Sequence, residues 1–227
     1  MKTFACVSVF ALLLIASAVA RADILYNNGP PNQQNGNEMT EWTQSEDFTL
    51  SQTSNIGSWT FWDIEAAPGY AGSITWWITG DSNGNPDFTH IVANGVSSGA
   101  NVVRTENNCG VLGVYCEWMN AVSPAGGPIN NVPAGLYHLV LHNGPIGYDD
   151  RAEFYWETTN PNNTPPGLEC DLGSFGSGCY TGNGSNYSSN GQEHAFYISS
   201  PVPEPGTLVL LGTGILGGFA GLRRRFM

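Results

Sequence analysis

The sequence predicts an all-β protein: an antiparallel β-sandwich or jelly-roll-like ectodomain with one C-terminal transmembrane helix. Three observations predict it. Apolar residues alternate with polar ones in short runs, while helical periodicity is nearly absent from the middle of the chain. Clusters of Gly, Pro, Asn and Asp separate those runs, as in "NNGPP", "DSNGNPD", "SPAGGP" and "NPNNTPPG". The two ends of the chain instead carry uninterrupted apolar stretches. The expected organisation is a signal peptide at 1–22, a β-ectodomain at 23–201 and a C-terminal tail at 202–227.

At the N-terminus, Lys2 supplies a positive start and Phe4 to Ala20 is apolar or small. Ala20-Arg21-Ala22 matches a small-x-small cleavage pattern, so the mature chain is expected to begin at Asp23. A retained N-terminal anchor is the alternative.

The ectodomain reads as a succession of short strands. Residues 48–50, 58–64, 73–79, 88–93, 111–118, 136–142, 152–157 and 194–199 are the candidates. In 73–79, Ile74, Trp76 and Ile78 share one face and Thr75, Trp77 and Thr79 the other. In 136–142, Tyr137, Leu139 and Leu141 share a face, and in 152–157 Phe154 and Trp156 point inward. Residues 159–192 differ, being poor in apolar residues and rich in Gly, Asn and Ser. They read as a long excursion pinned by cysteines, and a structureless stretch of that length is functional or mobile in most proteins.

Residues 23–201 are enough for one domain with a substantial core. Of the 7 basic residues, only Arg104 and Arg151 fall in this part, against all the acids except Glu204. The ectodomain is therefore strongly acidic and contains no lysine. Such a surface repels phosphate backbones and excludes nucleic acid as a partner, but it attracts divalent cations. Solubility outside the cell is the plainer reading of the charge. Aromatic residues at 11% of the chain argue against disorder. Cys6 departs with the signal peptide, leaving Cys109, Cys116, Cys170 and Cys179. Four cysteines in an exported chain suggest disulfides, and all three connectivities are open, nearest neighbours being expected. Zinc is the competing reading, but no C-x-x-C spacing occurs and no histidine lies near either pair.

No H-E-x-x-H or P-loop occurs. His138 and His142 share a strand face about 13 Å apart, too far for one metal, and read as exposed sheet residues. Glu153 and Glu157 are similarly spaced, too far apart for a glycosidase pair. The best ligand cluster is "DSNGNPD", where Asp81, Asn83, Asn85 and Asp87 place oxygens at alternate positions, as calcium loops do. Pro86 and Val92 stand where an EF-hand needs glycine and a bidentate glutamate, and a hairpin turn explains the run equally well. Trp77 is the candidate for stacking on a sugar from an outer sheet face, with packing against a second sheet or a loop as the alternative.

In the tail, Pro203-Glu204-Pro205 precede 17 uncharged residues, 206–222, and Arg223, Arg224 and Arg225 follow at once. As a helix the apolar run spans about 26 Å, and the arginines hold its far end in the cytoplasm. This order resembles the PEP-CTERM sorting tag of Gram-negative bacteria that make extracellular polysaccharide. The resemblance implies recognition by an exosortase and cutting near the Pro-Glu-Pro element. A permanent anchor is the alternative, because Gly214 with Gly218, and Gly217 with Gly221, form G-x-x-x-G pairs. The stretches "GNEMTEWTQSEDFTLS", "YHLVLHNGP" and "RAEFYWETT" are similar to ectodomains common among PEP-CTERM proteins, over Asp23 to Thr159.

Three functions are expected in descending order. The first is an exported, exosortase-sorted surface or extracellular matrix protein without catalytic activity. The second is a carbohydrate-binding β-sandwich module acting on extracellular polysaccharide. The third is a secreted polysaccharide-active hydrolase.

Overall fold

A computed structural model describes residues 21–66, 69–147, 151–161 and 165–202. Asp23–Pro201 forms one compact unit. Residues 1–20 of the expected signal peptide, the Pro203-Glu204-Pro205 element, the apolar run at 206–222 and the arginine cluster lie outside the described residues. Among the described residues no helix is long and apolar enough to cross a membrane.

The described strands are β1 (Ile24–Gly29), β2 (Pro31–Glu38), β3 (Trp42–Leu50), β4 (Ser54–Ile56), β5 (Ser58–Glu65), β6 (Ser73–Asp81), β7 (Pro86–Ser98) and β8 (Val102–Val111). They continue with β9 (Tyr115–Val122), β10 (Ile129–Val132), β11 (Gly135–Asn143), β12 (Phe154–Thr159), β13 (Leu168–Asp171), β14 (Ser188–Ser189) and β15 (Phe196–Ser199). A single helical turn, α1 (Leu172–Phe175), follows β13.

Two antiparallel sheets result, an arrangement consistent with a β-sandwich. In the first, β8 pairs β9 and β9 pairs β5. The other edge of β5 is shared: β15 takes its first half and β12 its second, with β1 beyond β15 and β2 beyond β12. The second sheet runs β14-β13-β3-β11-β6-β7, and β4 pairs β10 separately.

Alternation sets what each sheet buries, because successive side chains point to opposite faces. Trp59, Phe61, Phe154, Trp156, Phe196 and Ile198 come from the first sheet. Phe48, Ile74, Trp76, Ile78, Tyr137, Leu139 and Leu141 come from the second, and all join one core. Trp59 meets Trp76 edge-on, with ring centroids 4.9 Å apart. The polar end of this interior is closed by Arg104, which bridges Asp63 at 3.0 Å and Glu65 at 3.1 Å. Its guanidinium lies 4.5 Å from the Tyr70 ring centre and 4.7 Å from that of Trp118. Burial pushes the Asp63 carboxyl up to about 8, against the pull of Arg104.

Three expectations need correction. Residues 111–118 are not one strand: β8 and β9 meet in a hairpin there, with Leu112 and Gly113 at positive φ and Val111 opposite Tyr115. A tight hairpin hardly disturbs the alternation, so the pattern runs through the turn unseen. Strand β12 starts at Phe154 and not at Ala152, because Glu153 has φ 52° and turns the chain. Residues 159–192 are not structureless. In the described part, β13 pairs with β3 and so extends the second sheet. Asp171 then caps α1, accepting from the backbone N–H of Gly173 at 2.8 Å.

Candidate functional site

The calcium reading of residues 81–87 gives way to a turn. Ser82 and Asn85 exchange backbone hydrogen bonds, while Asn83 (φ 55°) and Gly84 (φ 83°) occupy the two left-handed positions between them. This is the Asn-Gly pairing that a two-residue hairpin favours. Its carboxylates are used locally. Asp81 Oδ1 accepts from Gly84 N at 2.9 Å and lies 3.0 Å from His138 Nε2. Asp87 Oδ1 accepts from Thr89 N at 2.9 Å. Asp81 is thus held by the turn and by His138 of β11, and Asp87 by its own strand.

Trp77 does leave the main core, on the outer face of the second sheet, but it is not exposed. The excursion after β12 folds over that face and buries it. Trp77 stacks on Tyr180 with centroids 5.0 Å apart and meets Phe88 edge-on at 6.1 Å. Val140, Cys170, Leu172, Cys179 and Tyr187 complete this second apolar cluster. A sugar cannot reach the ring, so Trp77 is a packing residue. The disulfide Cys170–Cys179 lies inside the same cluster, and Cys109–Cys116 joins β8 to β9.

The exposure expected for the histidines is overturned as well. His138 is buried between Asp81 and Ser45, and burial holds its ring below the ordinary histidine value despite Asp81. His142 is buried too, 2.8 Å from the Thr40 carbonyl and 3.1 Å from that of Gly144.

The open face is the outer side of the first sheet. Trp62 points out there, half-buried, with its ring 5.8 Å from that of Tyr197. Tyr115 and Tyr155 form a second edge-on pair at 5.9 Å. Beside these rings sit Glu117 and Glu157, both fully buried. Glu157 is not paired with Glu153 in any sense, since Glu153 stands outside the strand. Burial, reinforced by Glu117, pushes the Glu157 carboxyl up to about 9.

A polar groove of about 350 Å³ adjoins the β2 edge. Asn32, Gln34 and Asn35 line one side, and Thr158, Thr159, Gln192 and Glu193 the other. Behind it lies a pair that the sequence pattern did not disclose. Glu46 Oε2 is 2.6 Å from His194 Nδ1 and accepts from His194 N at 3.0 Å, while Trp156 stacks on the imidazole at 4.6 Å. Burial raises Glu46 well above the usual carboxylate range and pushes His194 down to about 3. Glu46 sits in strand phase with the core residues Phe48 and Leu50. A carboxylate on the apolar face of a strand was the available signal.

Among the described residues, one trio of metal-type donors comes within 4.8 Å: Glu106, Cys109 and Cys116. Both sulfurs are already joined to each other, so no thiolate is available to a metal.

An acidic, disulfide-bonded, all-β domain leading into a Pro-Glu-Pro tail defines the class: an ectodomain carrying a C-terminal sorting signal. Residues 201–225 match the PEP-CTERM protein-sorting motif. The motif implies exosortase processing, with export and sorting to the cell envelope of a Gram-negative bacterium. No curated protein matches the chain.

Proposed function

We propose that this chain is an exported, exosortase-sorted surface or extracellular matrix protein without catalytic activity. The observation that carries the reading is the sorting motif at 201–225 placed directly after a compact β-domain. Pro203 and Pro205, on either side of Glu204, lack the N–H that helical hydrogen bonds need, which suits a protease substrate. By its sequence the uncharged 206–222 run is long enough to hold the chain in the inner membrane until the cut is made. Further support comes from His138 and His194, which are buried and held by Asp81 and Glu46 within the fold. Intact mass spectrometry of the protein from its own cells tests this. The mature chain should end near Pro203–Pro205 and lack Arg223, Arg224 and Arg225. A full-length C-terminus on the dominant surface species would leave a permanent anchor in its place.

A second reading is carbohydrate binding, favoured by the half-buried Trp62–Tyr197 pair on the open face of the first sheet. Neutral or acidic matrix polysaccharide is the ligand class, and one stacking ring gives affinities near millimolar. Calorimetry with wild type and Trp62→Ala decides it. Heat that is unchanged by Trp62→Ala rules out this face.

A further inference from the structure

Glu117 on β9 and Glu157 on β12 point out of the first sheet on either side of β5. Glu117 lies opposite Ile64, and Ile64 lies opposite Tyr155, so Glu157 stands one outward position further along. Both glutamates are fully buried, and one residue, Gln33, hydrogen-bonds to both of them. No salt bridge reaches either one among the described residues. The arginine nearest in the sheet, Arg104, is committed to Asp63 and Glu65.

Two amide side chains close over the pair. Gln33 donates its backbone N–H to Glu157 Oε1 at 2.7 Å and its Nε2 to Glu117 Oε2 at 3.1 Å. Asn107 donates from Nδ2 to Glu117 Oε1. Glu157 Oε2, although buried, accepts no hydrogen bond. Both lids come from irregular strand edges. Asn107 is the extra residue where β8 slips register against β9 between Glu106 and Asn108. Gln33 lies in the bulge of β2 opposite Glu157 and Thr159, at φ 59°. Both amides are exposed, so an ion can enter by displacing them.

Two buried carboxyl groups bridged by one residue and without a basic partner are tolerable only with a proton or a cation beside them. A half-turn of each amide replaces a donor with an oxygen. The pocket then offers carboxylate and side-chain amide oxygens, the ligand set of a hard divalent ion, with the Gln33 backbone N–H still on Glu157 Oε1 and Glu157 Oε2 left for the ion, on an irregular edge that suits calcium better than magnesium. We propose that Glu117 and Glu157, with the side-chain oxygens of Gln33 and Asn107, form a calcium site on the outer face of the first sheet. The site is separate from the turn at 81–87 and does not depend on the carbohydrate reading.

Calorimetry of the metal-stripped full chain in detergent, titrated with calcium chloride, tests it. One ion should bind with a Kd of about 10⁻⁴–10⁻³ M, the range of extracellular modules, and saturating calcium should raise Tm by a few degrees. Glu157→Gln and Glu117→Gln should each weaken binding at least about tenfold, and Asp81→Asn should leave it unchanged. Asn107→Ala, on the exposed lid, should weaken it severalfold with unaltered circular dichroism. Absence of calcium binding in wild type overturns the proposal and assigns the pair a shared proton. So does undiminished binding in either glutamine variant. If those variants do not fold, undiminished binding in Asn107→Ala overturns it.

Discussion

The two sheets turn similar inner faces to one core, yet their outer faces have opposite fates. The second sheet is roofed by the excursion after β12, which supplies Leu172, Cys179, Tyr180 and Tyr187 against Trp77 and Val140. Among the described residues, no such apolar roof covers Trp62 of the first sheet, although Thr60 and Ile64 beside it are buried. That sheet shows half-buried rings and hides two acids under amide lids. A strand's alternation says which residues share a face, but the chain that crosses that face decides whether it is core or surface. Trp77 and Trp62 make the point: both lie out of phase with the main core, and only Trp77 is sealed.

The largest expected effect breaks the roof. Trp77→Ala should cost about 3–5 kcal/mol, the usual loss for a buried tryptophan, whereas Trp62→Ala should cost about 1 kcal/mol. Equal costs in urea denaturation would mean that the two faces are equally covered.

The disulfides sharpen the comparison next. Cys170–Cys179 and Cys109–Cys116 close loops of similar length, 9 and 7 residues apart, so chain entropy assigns each about 2.5 kcal/mol. The first lies inside the roof cluster and the second on a partly exposed hairpin already held by its ladder. The double Cys170→Ala/Cys179→Ala variant should therefore lose about 3–4 kcal/mol and quench-protect Trp77 poorly, while Cys109→Ala/Cys116→Ala should lose no more than about 2 kcal/mol. Identical losses would reduce both bridges to loop closure alone.

A third test uses pH, with chelator present. Glu157 is raised to about 9 by burial and Glu117, so its contribution to stability is full below about 4.5 and is lost as pH rises toward 9. His138, flanked by Ser45, Asp47 and Asp81, is lowered by burial. Its neutral form contributes fully above about 6.5, and that contribution is lost as pH falls below 6.5. Above pH 6.5 only Glu157 of this pair acts, so wild type should melt several degrees lower at pH 9 than at pH 6.5, and Glu157→Gln should lessen that slope by its share, the raised carboxyls of Asp63 and Glu46 keeping the rest. Below pH 6.5 the two oppose, and His138→Gln should show a further rise in Tm on acidification. A slope unchanged by Glu157→Gln would place the titration elsewhere.

The smallest effect belongs to the turn at the edge of the roofed sheet. Gly84→Ala should cost about 1 kcal/mol because its φ of 83° is left-handed, and calcium should not alter that cost. A calcium-dependent difference would restore the ligand reading of residues 81–87.

Sequence alone determined the class of the fold and the tail. Alternation in Ile74-Trp76-Ile78, in Tyr137-Leu139-Leu141 and in Phe154-Trp156 is a local property of a pleated strand, and so it was legible before any partner strand was known. The Pro-Glu-Pro element, apolar run and arginine cluster are legible for the same reason: an enzyme and a membrane read them as a linear segment. Only the tertiary structure decided which outer face is covered, because residues 168–187 reach Trp77 from some 90 positions away and their own composition is that of a loop. It also brought Glu117 beside Glu157, and Glu46 beside His194. These pairs join strands far apart in the chain, and no spacing in a one-dimensional pattern encodes which strands become neighbours.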